Sequence, residues 1–158
     1  MPLSKAWEIY ESDKRIEGFS QQTLKAYKLQ ALLVIRYFED VKLETITTIK
    51  LKEYLAKSSE NLKPSSLAHR IRFIKSLFRW SHEEGYILKN PAAKLKEPKV
   101  GKRIPKFLTE SEIEYLREAC NTPMEKALFE FMFSTGCRIG EIVSLDKSRI
   151  NWSNRSVI

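Results

Sequence analysis

Apolar residues recur at spacings of three and four along most of this chain, the repeat of helices that bury one face. The clearest run is Leu24, Tyr27, Ala31, Val34, Ile35 and Phe38, with Gln22, Lys25, Lys28 and Arg36 left for the other side. Ser20 stands just ahead of it and can cap its first turn. A sparser repeat, Ala6, Ile9, Tyr10 and Ile16, predicts a helix from Leu3 to about Glu17, ended by Gly18. After a connection from Asp40 to Thr45, Thr47 or Thr48 caps a third helix carrying Ile49, Tyr54 and Leu55, which fades at Ser58-Ser59.

Pro64 opens a fourth helix, at a position where a missing N–H forfeits nothing. At about 100° per residue, Leu67, Ile71, Phe73, Ile74, Leu77, Phe78 and Trp80 fill a wide apolar arc. Arg72, Lys75 and Arg79 share the opposite side, with His69 at its edge. Arg70 falls inside the apolar arc and asks for an acidic partner. Gly85 closes this helix, and Asn90-Pro91 bars its continuation. From Lys89 to Lys106 there are seven basic residues, one acid and three prolines, with no apolar period. That composition predicts a semi-extended linker, suited to lie along a phosphate backbone, with an ordinary solvated linker as the alternative.

Helical patterning resumes near Phe107. Thr109 and Glu112 form a capping box, and Ile113, Leu116 and Ala119 or Cys120 make the expected buried face. Pro123 opens the next helix, where Ala127 to Ser134 is apolar almost all round, as suits the middle of a core. Gly136 stops it, because glycine takes the left-handed closing conformation freely. Arg138 then falls at the start of a short helix running to Leu145, where a cation opposes the helix dipole. Such a misfit points to function, unless Glu141, three residues on, simply pairs with it. Ile150-Asn151-Trp152, a turn at Asn154 and the start of a strand at Ser156-Val157-Ile158 follow. The segment 107–158 reads as a domain cut off partway.

Composition narrows the function. With 158 residues and 42% apolar content, there is room for one ordinary domain or two small ones. No apolar segment approaches the ~20 residues that span a bilayer, and the N-terminus lacks the apolar core of an export signal. Cys120 and Cys137 are too few for a disulfide framework and suit packing in a reducing cytoplasm. Charge is unevenly placed: residues 1–106 hold 22 Lys and Arg against 12 Asp and Glu, and residues 107–158 hold 6 against 8. Positive charge gathered on one segment marks a polyanion partner. Nucleic acid fits better than a membrane surface, whose binders usually carry a short polybasic cluster or a one-sided interfacial helix; the membrane stays open as the alternative.

Three stretches, in this order, carry a resemblance. They are Ser20-Gln21-Gln22-Thr23 through to Trp80; Asn90-Pro91-Ala92 followed by Ile104-Pro105-Lys106-Phe107-Leu108-Thr109-Glu110; and Thr135-Gly136-Cys137-Arg138-Ile139-Gly140-Glu141-Ile142 with Leu145. Over essentially all its length the chain resembles the tyrosine recombinase (phage integrase, Xer-like) family. The resemblance implies a mainly α protein: a four-helix, SAM-like core-binding bundle in residues 1–88, a basic linker in 89–106, and a truncated helical start of the catalytic domain in 107–158, with at most the beginning of a β-strand.

The chemistry implied is a phosphoryl transfer without metal or cofactor. A tyrosine attacks a DNA phosphodiester to give a 3′-phosphotyrosine, and a 5′-hydroxyl reverses the step. Fixed cations stabilise such a crowded, charged transition state, and the planar arginine fork suits two phosphate oxygens at once. Arg138 matches the first catalytic arginine, and Glu141 would orient it. The expected contacts to double-stranded DNA are Ser20, Thr23, Lys25 and Lys28 near the second helix, His69, Arg72, Lys75 and Arg79 on the fourth, and Lys99, Lys102 and Arg103 in the linker. Residues 139–158 contain no His and no Tyr, so the family's remaining catalytic groups are not among them. His69-Arg70-Ile71-Arg72 matches the family's His-x-x-Arg only by accident, since it lies upstream of Arg138. DNA binding without strand exchange is therefore expected, together with self-association through the incomplete domain or contact with other recombinase protomers. The alternative is a naturally short paralogue that acts as a regulatory interaction module; a small unrelated helical DNA-binding protein is a third reading.

Overall fold

The computed structural model describes residues 1–99, 101, 105–154 and 156–157. The chain divides into two compact units, Met1–Lys102 and Arg103–Ile158, each of them mostly helical.

Four helices form the first unit: α1 (Leu3–Ile16), α2 (Gln21–Phe38), α3 (Thr48–Ser59) and α4 (Pro64–Glu83). Their starts are set by the side chains that satisfy otherwise free N–H groups. The Ser20 hydroxyl accepts from the Thr23 N–H at 3.2 Å, and Thr47 accepts from the Lys50 N–H at 3.3 Å. Helix α1 follows Pro2, which offers no cap, and Asp40 supplies one from a distance. Its carboxylate accepts from both the Ser4 N–H and the Ser4 hydroxyl, each at 2.7 Å. Those bonds hold Asp40 at φ 52°, beside Glu39 at φ 56°, a left-handed pair that non-glycine residues adopt only when held.

Helix α4 is the axis of this unit's core. Ile71, Phe73, Ile74, Leu77, Phe78 and Trp80 are all buried on it, against Trp7 and Tyr10 of α1, Ala31 and Val34 of α2, and Leu51, Tyr54 and Leu55 of α3. Aromatic rings meet edge to face, Tyr10 with Trp80 at 5.3 Å and Tyr27 with Phe73 at 5.4 Å, the geometry ring quadrupoles favour. Two polar side chains in this region are paired, while the buried Tyr54 hydroxyl has no hydrogen-bond partner among the described residues. The Trp80 indole N–H donates to Asp13 at 2.8 Å, and the Tyr10 hydroxyl lies 2.8 Å from the Ser76 hydroxyl. Burial drives the Tyr10 phenol pKa upward.

Several expectations need correction. Ile16 and Ile49 are exposed, at 85% and 68%. Counting about 100° per residue, Ile16 lies about 120° around the helix from Tyr10, whose face is completed by Leu3, Ala6 and Trp7. Arg70 has no acidic partner among the described residues. Its Nε donates to the Gln30 amide oxygen at 3.2 Å, and its guanidinium sits 5.6 Å over the Tyr54 ring. A half-buried arginine can thus rest its stem on the core and its head on a ring and an amide. The stretch after Lys89 is packed rather than free at its start: Ala92 and Leu95 lie in the core, and the Thr48 hydroxyl donates to the Pro91 carbonyl at 2.8 Å.

The second unit contains α5 (Glu110–Ala119), α6 (Pro123–Thr135), α7 (Ile139–Val143) and an antiparallel pair, β1 (Ile150–Asn151) with β2 (Ser156–Val157), Ile150 opposite Val157. The Asn151 side chain accepts from the Asn154 N–H at 3.0 Å and shapes the turn between them; Ile158 lies outside the described residues. Capping boxes open α5 (Thr109 with Glu112) and α6 (Thr122 with Glu125). Arg117 of α5 pairs with Glu114 and with Glu130 of α6, its guanidinium lying over Phe129 and Phe133. None of this unit's described residues is buried. Ile113 on α5 and Cys120 just after it are half-buried, while Leu116 and Ala119 are exposed. On α6, Phe129 and Phe131 are half-buried, and Met124, Leu128, Met132 and Phe133 are exposed. The buried faces expected of both helices are formed only in part.

Candidate nucleic-acid interface

Because Phe73, Ile74, Leu77 and Phe78 turn inward, Arg72, Lys75 and Arg79 must stand on the outer side of α4. The packed stretch from Asn90 to Glu97 runs alongside and leaves a groove of about 370 Å³, lined by Arg72, Lys75, Ser76, Arg79, Asn90, Ala92, Ala93 and Glu97. Three cations and one acid face it. The Arg72 Nε donates to a Glu97 carboxylate oxygen at 2.9 Å, and Nη2 lies 2.8 Å from the same oxygen as an ion pair. That hydrogen bond raises the guanidinium pKa further above its ordinary range. Arg79 is 3.9 Å from Glu83, with both side chains largely exposed, a pair worth little in water. Lys75 has no ion pair among the described residues. His69 is exposed on the same helix.

The other expected contacts are spread over the first unit. Ser20 and Thr23 open α2, and their hydroxyls lie 2.9 Å from each other. Lys25 and Lys28 are exposed on α2, and Lys99 is exposed beyond Pro98. No hydrogen bond or ion pair joins these α2 residues to the α4 cations among the described residues. Lys102 and Arg103 lie outside the described residues. Asn90 and Glu97 also line the groove and are not among the DNA contacts expected from sequence; Glu97 stands out there only as the lone acid in a basic run. A second groove, of about 490 Å³, has Lys52, Lys94 and Lys96 on its wall, and no periodicity marks these either.

In the second unit, Gly136 takes φ 67° and ends α6, its N–H donating to Met132 at 2.9 Å. Arg138 becomes the N-cap residue of α7, one step before the helix. Glu141 grips it twice: the carboxylate accepts from the Arg138 N–H at 2.8 Å and from Nη1 at 3.1 Å. These two bonds, the backbone one first, hold the Glu141 pKa below the ordinary glutamate value. They also offset the cost of a cation near a helix start. The Arg138 side chain remains 86% exposed, so most of its donors face outward.

Both segments find counterparts among known proteins. Residues 12–85 match the phage integrase, N-terminal SAM-like domain, and residues 106–158 match the phage integrase family. The tyrosine recombinase XerD of Haemophilus influenzae is 32% identical over 137 residues, 82% of this chain and 46% of that protein. The chain belongs to the tyrosine recombinase family. XerD of Vibrio cholerae is 35% identical over 136 residues, 81% of this chain and 45% of its own length. Lambda integrase (75–356), crystallised as a dimer bound to a COC′ core site, is similar with a TM-score of 0.79 at 26% identity, covering 96% of this chain and 56% of that one. A lambda integrase tetramer bound to a Holliday junction gives 0.80 at 25% identity, covering 96% and 46%. This recombinase chain spans about half the length of the curated relatives it matches. Between the two matched segments lie residues 86–105, which include most of the basic, proline-containing stretch.

Proposed function

We propose that residues 1–158 are the DNA-binding part of a site-specific tyrosine recombinase or integrase, acting on duplex DNA in the cytoplasm at the nucleoid. In the domain scheme, residues 1–88 are the core-binding domain, 89–106 connect, and 107–158 begin the catalytic domain. The observation that carries this reading is the groove along α4, where Arg72, Lys75 and Arg79 stand on one outer face beside a basic segment. Lambda integrase, similar over nearly the whole chain, is crystallised on DNA. Phosphate contacts of this kind fix register on the duplex and are indifferent to sequence.

Arg138 is the proposed phosphate clamp of the second unit. Glu141 holds one edge of its guanidinium, and the remaining N–H groups are free to meet two phosphate oxygens. With no His and no Tyr in residues 139–158, strand exchange is not proposed for these residues alone. A second reading, a regulatory module that contacts recombinase protomers, is favoured by the exposed Met124, Phe133 and Val143. Both readings include self-association through those side chains, which sedimentation reports. The gene's reading frame beyond Ile158 separates them, since continuation through a His-x-x-Arg to a late tyrosine excludes the short paralogue.

The direct test replaces Arg72, Lys75 and Arg79 together by Gln. Anisotropy of a labelled duplex is expected to show affinity falling about tenfold or more, and alike on unrelated sequences. Unchanged affinity contradicts the assignment of α4 as the DNA face.

A further inference from the structure

Seven basic residues crowd positions 89–106, and Glu97 is the one acid among them. It is exposed, and its carboxylate pairs with Arg72 rather than with a neighbouring lysine. Its carboxylate oxygen sits on the Nε–Nη2 edge of Arg72, at 2.9 and 2.8 Å, the edge a phosphate oxygen would take. Glu97 is placed there by its own segment: Leu95, two residues earlier, is buried in the core, and Pro98 follows directly. It shares the groove with Lys75 and Arg79. A phosphate entering that groove would meet a carboxylate already bonded to Arg72. Two anions at such separation repel strongly, and the bonded edge serves only one of them.

We propose that Glu97 is an internal competitor for DNA phosphate: its carboxylate holds Arg72 in the free protein, and duplex DNA must displace it to engage that arginine. The proposal rests on α4 being the DNA face. Displacement also loosens the tie between α4 and the segment beyond Leu95, so engagement of α4 and release of the following basic residues become linked. A contact that DNA must break lowers affinity for every duplex, and leaves Arg72 engaged only where the rest of the interface fits.

A double-mutant cycle on residues 1–158 tests this, with Arg72→Gln, Glu97→Gln and the pair, read by anisotropy of a labelled non-specific duplex. Circular dichroism confirms the fold, and Glu97→Ala provides a second form of the same removal. Glu97→Gln is expected to tighten binding, and the gain with Arg72 present is expected to exceed the gain with Arg72→Gln by about two- to five-fold, the worth of an exposed ion pair. Equal gains in the two backgrounds would make Glu97 a general surface charge and overturn the proposal. Weaker binding by Glu97→Gln would make it a structural anchor, and would overturn the proposal equally. If Arg72→Gln, Lys75→Gln and Arg79→Gln all bind like the parent, the DNA face lies elsewhere and the underlying reading falls with it. If those three weaken binding and the cycle shows no coupling, only the competitor falls.

Discussion

Glu112, Glu125 and Glu141 do the same work at three helix starts. Each carboxylate accepts backbone N–H groups that the helix itself leaves unpaired, and Glu141 adds the Arg138 guanidinium. The backbone hydrogen bonds come first among the causes that lower each pKa from 4.5. A carboxyl group lowered in the folded state contributes stability above its unfolded pKa and loses it as pH falls through the folded one. Replacing all three by Gln is therefore expected to destabilise the second unit at neutral pH. The gap to the parent should shrink as pH drops below 4.5, read by circular dichroism in urea. A gap that stays constant down to strong acid contradicts these assignments. At this scale the sequence is unevenly legible. The pairing of Arg138 with Glu141 follows from a spacing of three. Asp40 capping α1, or Arg70 over Tyr54, depends on long-range packing that no local spacing encodes.

Among the elements, α4 is the most legible, because twenty residues of strict helical period outweigh any single misfit. Pro64 and Gly85 bound it as expected, and its apolar arc is the core. The repeat that predicts α1 includes Ile16, an apolar residue off the buried face, and omits Leu3 and Trp7, which are on it. The stretch from Asn90 to Leu95 is opaque for another reason. Two buried residues, Ala92 and Leu95, fix it to the bundle, and two points make no period. Helix α6 is apolar almost all round, as its pattern predicts, yet its side chains stay largely exposed. An uncovered apolar face of this kind favours association. Sedimentation velocity is expected to show a weight-average coefficient rising with concentration, and Met124→Ser with Phe133→Ser should flatten the rise. A species that stays monomeric at every concentration contradicts the proposal that these side chains pair.

At the scale of the molecule, the two units differ in kind. Residues 1–102 surround a continuous aromatic and aliphatic core and carry the excess of positive charge, whereas the described residues of 103–158 expose their apolar faces and are slightly acidic overall. Family membership unites them, and in the proposed function the charge asymmetry gives the phosphate contacts mainly to the first. Sequence reveals the asymmetry in full, but not that Glu97 already holds Arg72. The most direct measurement is the association constant of residues 1–158 for a labelled duplex over a series of salt concentrations. Each phosphate neutralised contributes a slope of about −0.9 in log K against log salt, so the three α4 cations alone set a slope of about −3, and the α2 and linker lysines steepen it. A linear fall at least that steep is the expected result; an affinity that is flat from low to moderate salt would contradict the account at its centre.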